Sequence, residues 1–501
     1  MKNLYTKAEI KQIDKLLEEE LSIPARILME NVANNAASYI IKYFNENNLN
    51  IRKIAIFCGS GNNGGDGLAL GRHLSELFDV TIFQFGNIEK MSTETRKNYE
   101  IIKNIPIIQL NSVTSLDDIN QLTLDFDCII DSLIGIGGSD KLRENIIPLL
   151  KKINNAKAVK IAIDMPTGLD ADTSKAHTDT FRADLTINIT GYKFAAINKK
   201  CQPYYGETVT VPLNTSSVIE NKICRQFVLE PSDLDILHQR KYNSSKFDYG
   251  KVLIIAGSID MCGAAALAAN ASIKSGAGIT TLLTPKIHPA ILPEVIAETL
   301  SSTHSGTIHP SNYLYIMDKI QSADTILLGP GIGTDQETLN MLRQIIFNTT
   351  KPMVIDADAL RCININDKLR PNIVLTPHSG EFSRLLNIPR KEIEENPIEF
   401  TKNVAKQLNC TILLKTIPNI ITEGNLFYWN IYGNPGMSTA GSGDVLSGII
   451  ASMLFRIKAD TLKAAAISSL IHALAGDAYA EDYNQNSLTA SNIIEYLKYV
   501  I

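Results

Sequence analysis

Short apolar runs alternate with helix-length segments along most of the chain, and several of these runs end at glycines or aspartates. Lys53–Cys58 and Val159–Ile163 are typical, because they have the length and composition of strands buried on both faces of a sheet. The other strand candidates lie at 80–85, 126–133, 185–189, 208–211, 251–256, 325–328, 353–355, 373–375 and 411–414. Since helix-length segments separate the strands, the pattern predicts an α/β protein with helices on both faces of parallel sheets.

The alternation stops once, between Pro212 and Phe247, where the sequence is polar and contains many Asn and Ser residues. We therefore place a domain boundary near 215–235 and predict two three-layer α/β/α domains, at 1–218 and 225–501. The length of 501 residues and the hydrophobic share of 45% suit two large domains, each with its own core. Helical spacing of apolar residues also predicts two helices over 8–44, separated at Pro24.

The charge balance and the cysteine pattern exclude several classes of function. With 48 Lys and Arg against 53 Asp and Glu, and no long basic run, we expect no nucleic-acid partner. The apolar stretches are too short to cross a membrane and the first residues lack a signal peptide, so we expect a cytoplasmic protein. The seven cysteines form no CxxC pair and the histidines no HExxH, which indicates reduced thiols and argues against a zinc site.

A glycine-rich turn follows the first predicted strand and opens a helix. Its sequence, CGSGNNGGDG at 58–67, lets the backbone approach a phosphate and places Asn62, Asn63 and Asp66 in one turn. The alternative is a tight turn that binds nothing, and the three polar side chains disfavour it. Asp131 lies near the end of the strand predicted at 126–133, and Asp164 follows the strand predicted at 159–163, so we expect all three loops to meet at the carboxyl edge of the sheet.

These motifs, together with Ile23–Glu30, Asp164–Asp170 and Ala183–Thr186, resemble the NAD(P)H-hydrate epimerase domain over about residues 1–215. The resemblance implies a Rossmann-like fold with Asp164 as the acid/base. It also implies a potassium ion held by Asn63, Asp131 and Thr167, and oxygen ligands suit such a hard cation. Substrate contacts are implied for Asp164 and for two loops, which comprise Asn62, Asn63, Gly64, Gly65 and Asp66, and Gly135, Ile136, Gly137, Gly138, Ser139, Asp140 and Lys141.

The second half carries a longer glycine motif, GMSTAGSGDVLSG at 436–448. Gly441 and Gly443 let helix-terminal amides surround a phosphate, and Asp444 in the first turn is positioned to take a proton from a hydroxyl. The alternative for Asp444 is a charge that only stabilises the start of the helix. Three further polar segments, GPGIG at 329–333, DADAL at 356–360 and TPHSGE at 376–381, each follow a predicted strand. His378 is either a substrate contact or a loop histidine with its hydrogen bonds satisfied.

Residues from about 225 to 501 resemble the ribokinase-like fold and, within it, the ADP/ATP-dependent NAD(P)H-hydrate dehydratases. The resemblance rests on the four motifs above and on Gly250–Gly257, Ser275–Gly278, Pro293–Val295 and His472–Asp477. It implies substrate contacts from Ala264, Gly331, Gly333, His378 and Asp444. It also implies that the adenine nucleotide lies along Lys415, Thr416, Ile417, Pro418, Asn419 and Gly443.

The two resemblances point to the same metabolite, hydrated NADH or NADPH, and so to a bifunctional repair enzyme. We expect Asp164 to shuttle a proton while the epimers interconvert, and Asp444 to act as a base while the nucleotide activates the hydroxyl for elimination. ADP is the expected nucleotide, with ATP open; a magnesium ion is expected with the phosphates, and a homo-oligomer is expected. Two alternatives remain: a ribokinase-like small-molecule kinase with a nucleotide-binding first domain, and a metabolite sensor without catalysis.

Overall fold

The chain divides into two compact units. The computed structural model describes residues 1–237, 239–458 and 460–501, and its first unit is Lys2–Cys224 while its second is Arg225–Ile501. Among these described residues, no helix is long and apolar enough to span a membrane.

The first unit begins with two helices, as the apolar spacing predicts. α1 (Lys7–Leu21) starts at a capping box, in which the Glu9 amide donates to Thr6 Oγ1 and the Thr6 amide donates to the Glu9 carboxylate. Ser22, with φ 54, ends α1 in the left-handed conformation, and Pro24 precedes α2. The predicted break between the helices is therefore confirmed.

A seven-stranded parallel sheet forms the centre of the first unit, in the order β4-β3-β2-β5-β6-β7-β8. Its strands are β2 (Lys53–Cys58), β3 (Asp79–Phe85), β4 (Gln109–Val113), β5 (Cys128–Ser132), β6 (Val159–Ile163), β7 (Leu185–Ile189) and β8 (Glu207–Val211), while the short β1 (Lys2–Leu4) lies outside this sheet. The helices that follow α1 are α2 (Ala25–Glu46), α3 (Asn62–Leu74), α4 (Thr93–Lys103), α5 (Leu116–Gln121), α6 (Ile147–Asn154), α7 (Phe194–Ile197), α8 (Gln202–Tyr205) and α9 (Ser217–Ile223).

The second unit also contains a mostly parallel sheet. Its strands are β9 (Gln226–Val228), β10 (Lys251–Ile255), β11 (Ile279–Thr284), β12 (Val295–Thr299), β13 (Thr325–Leu328), β14 (Met353–Ile355), β15 (Ile373–Leu375), β16 (Thr411–Leu414), β17 (Asn419–Thr422) and β18 (Phe427–Asn430). Its helices are α10 (Cys262–Lys274), α11 (Tyr313–Ser322), α12 (Gln336–Asn348), α13 (Ser379–Leu386), α14 (Arg390–Glu395), α15 (Pro397–Leu408), α16 (Ser442–Arg456), α17 (Thr461–Asp482) and α18 (Ala490–Tyr496). These strands lie in the order β9-β18-β17-β16-β15-β14-β13-β10-β11-β12.

Burial on both faces of the central strands confirms the predicted layering. Successive side chains of a strand point to opposite faces of its sheet, and both sets are buried here. In β10, Val252 and Ile254 pack in the large core that also contains α10, α16 and α17, while Leu253 and Ile255 on the opposite face are 2% and 0% exposed. The predicted α/β fold class, with helices covering parallel sheets, is therefore confirmed.

The second sheet departs from the prediction at one side. β17 pairs antiparallel with both β16 and β18, so this part is a hairpin and not a further strand–helix repeat. β9 pairs parallel with β18, although its apolar island lies within the polar stretch that separates the predicted domains. An isolated strand of three residues with polar neighbours carries too little signal to be distinguished from a linker.

Candidate active sites

The carboxyl ends of β2, β5 and β6 open into a cavity of about 1290 Å³ in the first unit. Small-ligand sites usually measure about 300–1,000 Å³, so this one has room for a dinucleotide. It is lined by most of the substrate contacts expected from the sequence, namely Asn62, Asn63, Asp66, Gly135, Ile136, Gly137, Gly138, Ser139, Lys141 and Asp164. The remaining three expected contacts, Gly64, Gly65 and Asp140, do not line it.

Gly64 and Gly65 lie in the first turn of α3 and pack against Gly59, which follows β2, and Thr95 of α4. A Cβ at Gly64 would lie 1.8 Å from the Gly59 carbonyl oxygen, and one at Gly65 would lie 2.7 Å from Thr95 Oγ1. The turn therefore closes only with glycine at these positions. Gly61 and Asn62, at the start of α3, line the cavity, and the first backbone amides of a helix have no helical partners and are available to an anion.

Asp164 lies directly after β6 with φ 67, a left-handed conformation that aspartate tolerates better than most residues. Its Oδ2 accepts a hydrogen bond from the Ile136 amide at 2.7 Å. Its Oδ1 accepts from Lys193 Nζ at 2.5 Å, and Lys193 is fully buried and also donates to the Ile189 carbonyl oxygen. A Cβ at Gly135 would lie 2.6 Å from Asp164 Oδ2, so this loop approaches the carboxylate only because it has no side chain there.

Two further carboxyl groups line the same cavity. Burial raises the pKa of Asp66 well above its usual range, and the charges of Asp164 and Asp14 add to the effect. Asp14, on α1, also lines the cavity. Desolvation by the protein around its carboxyl group raises its pKa to about 6, and the negative charge of Asp164 adds to the effect. The site therefore combines one carboxylate that is ion-paired to a buried lysine with two carboxyl groups whose pKa values are raised.

The expected potassium ligands come from the ends of β2, β5 and β6. Asp131 is fully buried, and burial raises its pKa to about 6 although Thr167 and Leu133 donate hydrogen bonds to it. The Thr167 amide and hydroxyl each lie 2.8 Å from an Asp131 carboxylate oxygen. The Asn63 side-chain amide is oriented so that its nitrogen donates to the Ile163 carbonyl oxygen and its oxygen accepts from the Gly135 amide, both at 3.2 Å.

Oxygen chemistry at Asp131 fits a monovalent hard cation. In the described part of the chain Asp131 has no ion pair, and all three expected ligands offer oxygen atoms. A nearby cation would favour the ionised form of this buried carboxyl. Histidine and cysteine ligands are absent: the described residues contain no group of three or more His, Cys, Asp or Glu that could hold a metal ion.

In the second unit, Asp444 occupies the first turn of α16 behind Gly441, which has φ 87. Burial raises the pKa of Asp444 to about 7; the charge of Asp356 adds to this, while Lys415 opposes it. A Cβ at Gly443 would lie 3.1 Å from Lys415 Nζ, so the glycine turn and this lysine are in direct contact. The amides of this turn, the lysine and the carboxyl group thus meet at one helix terminus.

Lys415 connects Asp444 with the expected substrate loops. Its Nζ donates to Asp356 Oδ1 at 2.8 Å, and Thr376 Oγ1 donates to the same oxygen at 2.6 Å. Burial lowers the pKa of Lys415, but the charge and hydrogen bond of Asp356, with Glu381 and Asp444, outweigh it and raise the pKa overall. Lys415 therefore stays cationic beside three carboxyl groups.

The GPGIG loop packs against the start of α10. Gly331 has φ 64, and a Cβ there would lie 2.6 Å from the Met261 carbonyl oxygen and 3.0 Å from the Ala264 side chain. The Gly333 amide donates to Asp358 Oδ2 at 3.1 Å, which joins this loop to the DADAL segment. Ala264, Gly331 and Gly333 are thus neighbours, as their expected common role requires.

His378 is the N-cap of α13, a role that its sequence context does not reveal. Its Nδ1 accepts from the Gly380 amide at 2.9 Å, and its own amide donates to Glu381 in return. The Nε2 atom lies 3.5 Å from Glu381, and the side chain is 58% exposed. The imidazole thus has a structural bond on one nitrogen, and the other nitrogen is accessible to a ligand. The backbone of His378 forms an isolated parallel β-bridge with Lys415. Because Lys415 contacts the glycine turn at Gly443, His378 lies close to that turn.

The expected nucleotide segment, Lys415–Asn419, connects β16 with β17. Thr416 Oγ1 donates to the Pro418 carbonyl oxygen at 2.7 Å, and Asn419 donates to Ser469 Oγ at 3.1 Å. The hydroxyl and the amide therefore already have protein partners. Ile417 is 68% exposed, so this segment presents an apolar side chain at the surface where the nucleotide is expected.

Two residues of the first site escape prediction from the sequence. Lys193 lies in the loop after β7, and Asp14 lies on the polar side of α1. Neither stands in a glycine motif or at a predicted strand end. Only the folding of distant segments brings them to Asp164, so a local pattern carries no signal for them.

Comparison with known proteins assigns each unit to a described family. A family model described as NAD(P)H-hydrate dehydratase matches residues 252–499, and one described as YjeF-related protein N-terminus matches residues 25–195.

Relatives match over nearly the whole chain. A protein of Moorella thermoacetica named bifunctional NAD(P)H-hydrate repair enzyme Nnr is 31% identical over 514 residues, covering 99% of this chain and 96% of the relative. One of the same name from Thermofilum pendens is 32% identical, covering 98% and 94%. Among solved structures, a ribokinase-like superfamily protein of Enterococcus faecalis is 28% identical, covers 55% of this chain and 95% of its own, and has a TM-score of 0.48.

Proposed function

Since the chain belongs to the family of bifunctional NAD(P)H-hydrate repair enzymes, we propose how its two units divide the work. The protein interconverts the R and S forms of hydrated NADH and NADPH, and it dehydrates the S form at the expense of an adenine nucleotide. We assign epimerisation to the cavity of the first unit and dehydration to the site around Asp444. The observation that supports this most is that each unit has its own glycine turn beside a carboxyl group, which is buried in the first unit (Asp66) and half-buried in the second (Asp444). The kinase and sensor alternatives are not favoured.

In the first unit, Asp164 is proposed to carry the proton during epimerisation. It lines the cavity, and the Ile136 amide and Lys193 fix both of its carboxylate oxygens. A carboxylate held in this way has a defined orientation toward a bound ring, which general acid–base catalysis requires. The amides at the start of α3 are proposed to receive the pyrophosphate of the dinucleotide.

A potassium ion is proposed at Asn63, Asp131 and Thr167. These residues supply one carboxylate, one hydroxyl and one amide, which suit a hard monovalent cation. The bound cation would offset the negative charge of Asp131 and order the loops around it. The chain's own contribution is the network that joins Asp131 and Thr167, and this network holds the loop before Gly135 against Asp164.

In the second unit, Asp444 is proposed to act as the base. It would take the proton from the hydroxyl of the S form while that oxygen accepts a phosphoryl group from the nucleotide. Phosphate then leaves with the electron pair of the carbon–oxygen bond, a proton is lost from the neighbouring carbon, and the ring double bond returns. The amides around Gly441 and Gly443 and the Lys415 ammonium lie where phosphate charge has to be stabilised.

The adenine nucleotide is proposed to lie along Lys415–Asn419 and Gly443, and ADP is the expected form, with ATP open. A magnesium ion is proposed to enter with the phosphates, because magnesium in such sites keeps several waters and few protein ligands. The described residues offer no ready cluster of three or more His, Cys, Asp or Glu.

The test uses the purified full chain with separated R and S forms of hydrated NADH, each with ADP or with ATP. The S form should regain the near-ultraviolet absorbance of NADH at once with one nucleotide. The R form should regain it at the rate of epimerisation. If neither form yields NADH with either nucleotide, the proposed dehydration is wrong.

Matched variants separate the two sites. Asp164→Asn should stop repair of the R form only, because the S form needs no epimerisation. Asp117→Asn, an exposed carboxyl on α5, serves as the control and should behave like the unmodified protein. Normal repair of both forms by Asp164→Asn would remove this residue from its proposed role.

A further inference from the structure

Exchange of the two epimers places a chemical demand on the cavity that one carboxylate does not meet. The hydroxyl sits on a ring carbon next to the nitrogen, so it leaves as water once it is protonated and the nitrogen lone pair forms a carbon–nitrogen double bond. Inversion requires a second water to add from the opposite face and to lose a proton there. The reaction therefore needs a proton donor on one face and a proton acceptor on the other.

Asp66 is the second carboxyl group that meets this demand. It lines the cavity although it is only 9% exposed. Across the described chain, no group donates a hydrogen bond to its carboxyl or forms an ion pair with it, in contrast to Asp164 with its two partners. A buried polar group of this kind calls for an explanation, and a ligand in the cavity is the direct one.

Asp66 and Asp164 reach the cavity from different strands. Asp66 lies on α3, which follows β2, and Asp164 follows β6. β5 lies between β2 and β6 in the sheet, so the two carboxyl groups belong to segments that follow the strands on either side of β5. A ring bound over the end of β5 would have one carboxyl group on each side.

We propose that Asp66 is a catalytic residue of the epimerase, the partner of Asp164 that transfers a proton on the opposite face of the ring. This inference rests on the epimerase function proposed above. It assigns a proton transfer to Asp66. The resemblance to the epimerase domain implies only that Asp66 contacts the substrate.

The step balances without any further reactant. Asp66 gives its proton to the hydroxyl oxygen, the carbon–oxygen bond breaks with its electron pair on the departing water, and the nitrogen lone pair forms the double bond. Water on the other face adds to the carbon, its proton passes to Asp164, and the ring nitrogen regains its lone pair. Asp66 ends ionised and Asp164 protonated, which is the arrangement that converts the other epimer in the reverse direction.

The surroundings of Asp66 favour this starting arrangement. The groups that face it are Asp14 from α1, Asp164 after β6, Lys193 from the loop after β7 and the thiol of Cys58 at the end of β2. Burial and the charges of Asp164 and Asp14 raise the pKa of Asp66, and Lys193 lowers it by less. Burial also raises the pKa of the Cys58 thiol, so that group stays neutral.

The experiment measures R-to-S exchange by the full chain without nucleotide, with the epimers separated chromatographically. Asp66→Asn should lower kcat/KM for exchange by about 10²- to 10⁴-fold, the usual contribution of a general acid or base. Dehydration of the S form by the same variant should remain unchanged, and Asp66→Glu should restore part of the exchange. In water enriched in oxygen-18, each exchange event should place the label on the hydroxyl.

The pH profile distinguishes catalysis from a structural role. If Asp66 acts as the acid, exchange falls above its pKa, and Asp14→Asn should move that fall to lower pH because a neighbouring negative charge is lost. Exchange by Asp66→Asn above a tenth of the normal rate, or an unmoved profile in Asp14→Asn, would overturn the role of Asp66. Failure of the unmodified protein to exchange the epimers would instead refute the proposed epimerase function.

Discussion

Replacing Lys193 with methionine tests how the first unit holds its buried carboxylate. The substitution keeps most of the apolar stem and removes the only cation that contacts Asp164 in the described chain. Breaking a buried ion pair in this way costs about 3–5 kcal/mol, because the remaining charge has lost its partner. Asp164 borders the cavity and keeps the Ile136 amide, so we expect the lower end of this range, about 3 kcal/mol.

The assay is hydrogen exchange of peptides from β6 and β7 in the full chain. Tryptophan fluorescence would not report on this unit, because the single tryptophan, Trp429, belongs to the second. At about 1.4 kcal/mol for each factor of ten, the slowest amides should exchange about 100-fold faster in Lys193→Met at pH 8. Lys157→Met, an exposed lysine just before β6, is the control and should leave exchange unchanged.

A second substitution tests whether the unpaired carboxylate of Asp164 causes the defect. Adding Asp164→Asn removes the stranded charge and should recover stability relative to Lys193→Met alone. Exchange within tenfold of the unmodified protein at pH 8, or no recovery in the double variant, would refute this reasoning.

Three further predictions concern the chemistry of the two sites. Asp444→Asn should lower dehydration about 10²- to 10⁴-fold and leave epimer exchange intact; equal loss of both activities would count against separate sites. Because the Asp444 pKa is raised to about 7 and a base acts in its ionised form, dehydration should increase as pH rises through about 7. Lys415→Met should move this midpoint upward, since the cation that opposes the shift is gone, and a downward move would contradict the assigned pairing. Finally, potassium chloride should protect the first unit from hydrogen exchange better than choline chloride at equal ionic strength, and Asp131→Asn should abolish the difference; protection that persists in this variant would place the ion elsewhere.

The central strands and the glycine turns were predictable because their signals are local. A strand buried on both faces must be apolar throughout, so β2 and β10 stand out as continuous runs. The turn after β2 has to place Gly64 against the Gly59 carbonyl oxygen, which leaves glycine as the only residue that fits. Sequence-based predictions therefore agree with the structure where the residues of one short segment are sufficient to define its conformation.

Two edge strands, β4 and β12, and the hairpin of β17 and β18 were missed for a physical reason, although the edge strand β8 was predicted at 208–211. β4, with the sequence QLNSV, and β12, with Ile296 52% exposed, lie at the outer edges of their sheets. A strand at an edge is only partly covered, so selection for an apolar run is relaxed and polar residues interrupt it. β17 begins at Asn419, within the expected nucleotide segment, and its pairing with β18 depends on contacts that composition does not encode.

Both sites use one lysine among several carboxyl groups, but they pair it differently. In the first, Lys193 binds Asp164, the expected acid/base, and the charge of Asp164 raises the pKa of the unpaired Asp66. In the second, Lys415 binds Asp356, and the expected base Asp444 is left beside that pair with a pKa raised to about 7. The difference matches the chemistry. The proposed epimer exchange uses a proton donor and a proton acceptor, whereas the proposed removal of one hydroxyl proton uses a single base, for which a pKa near neutral pH is suited.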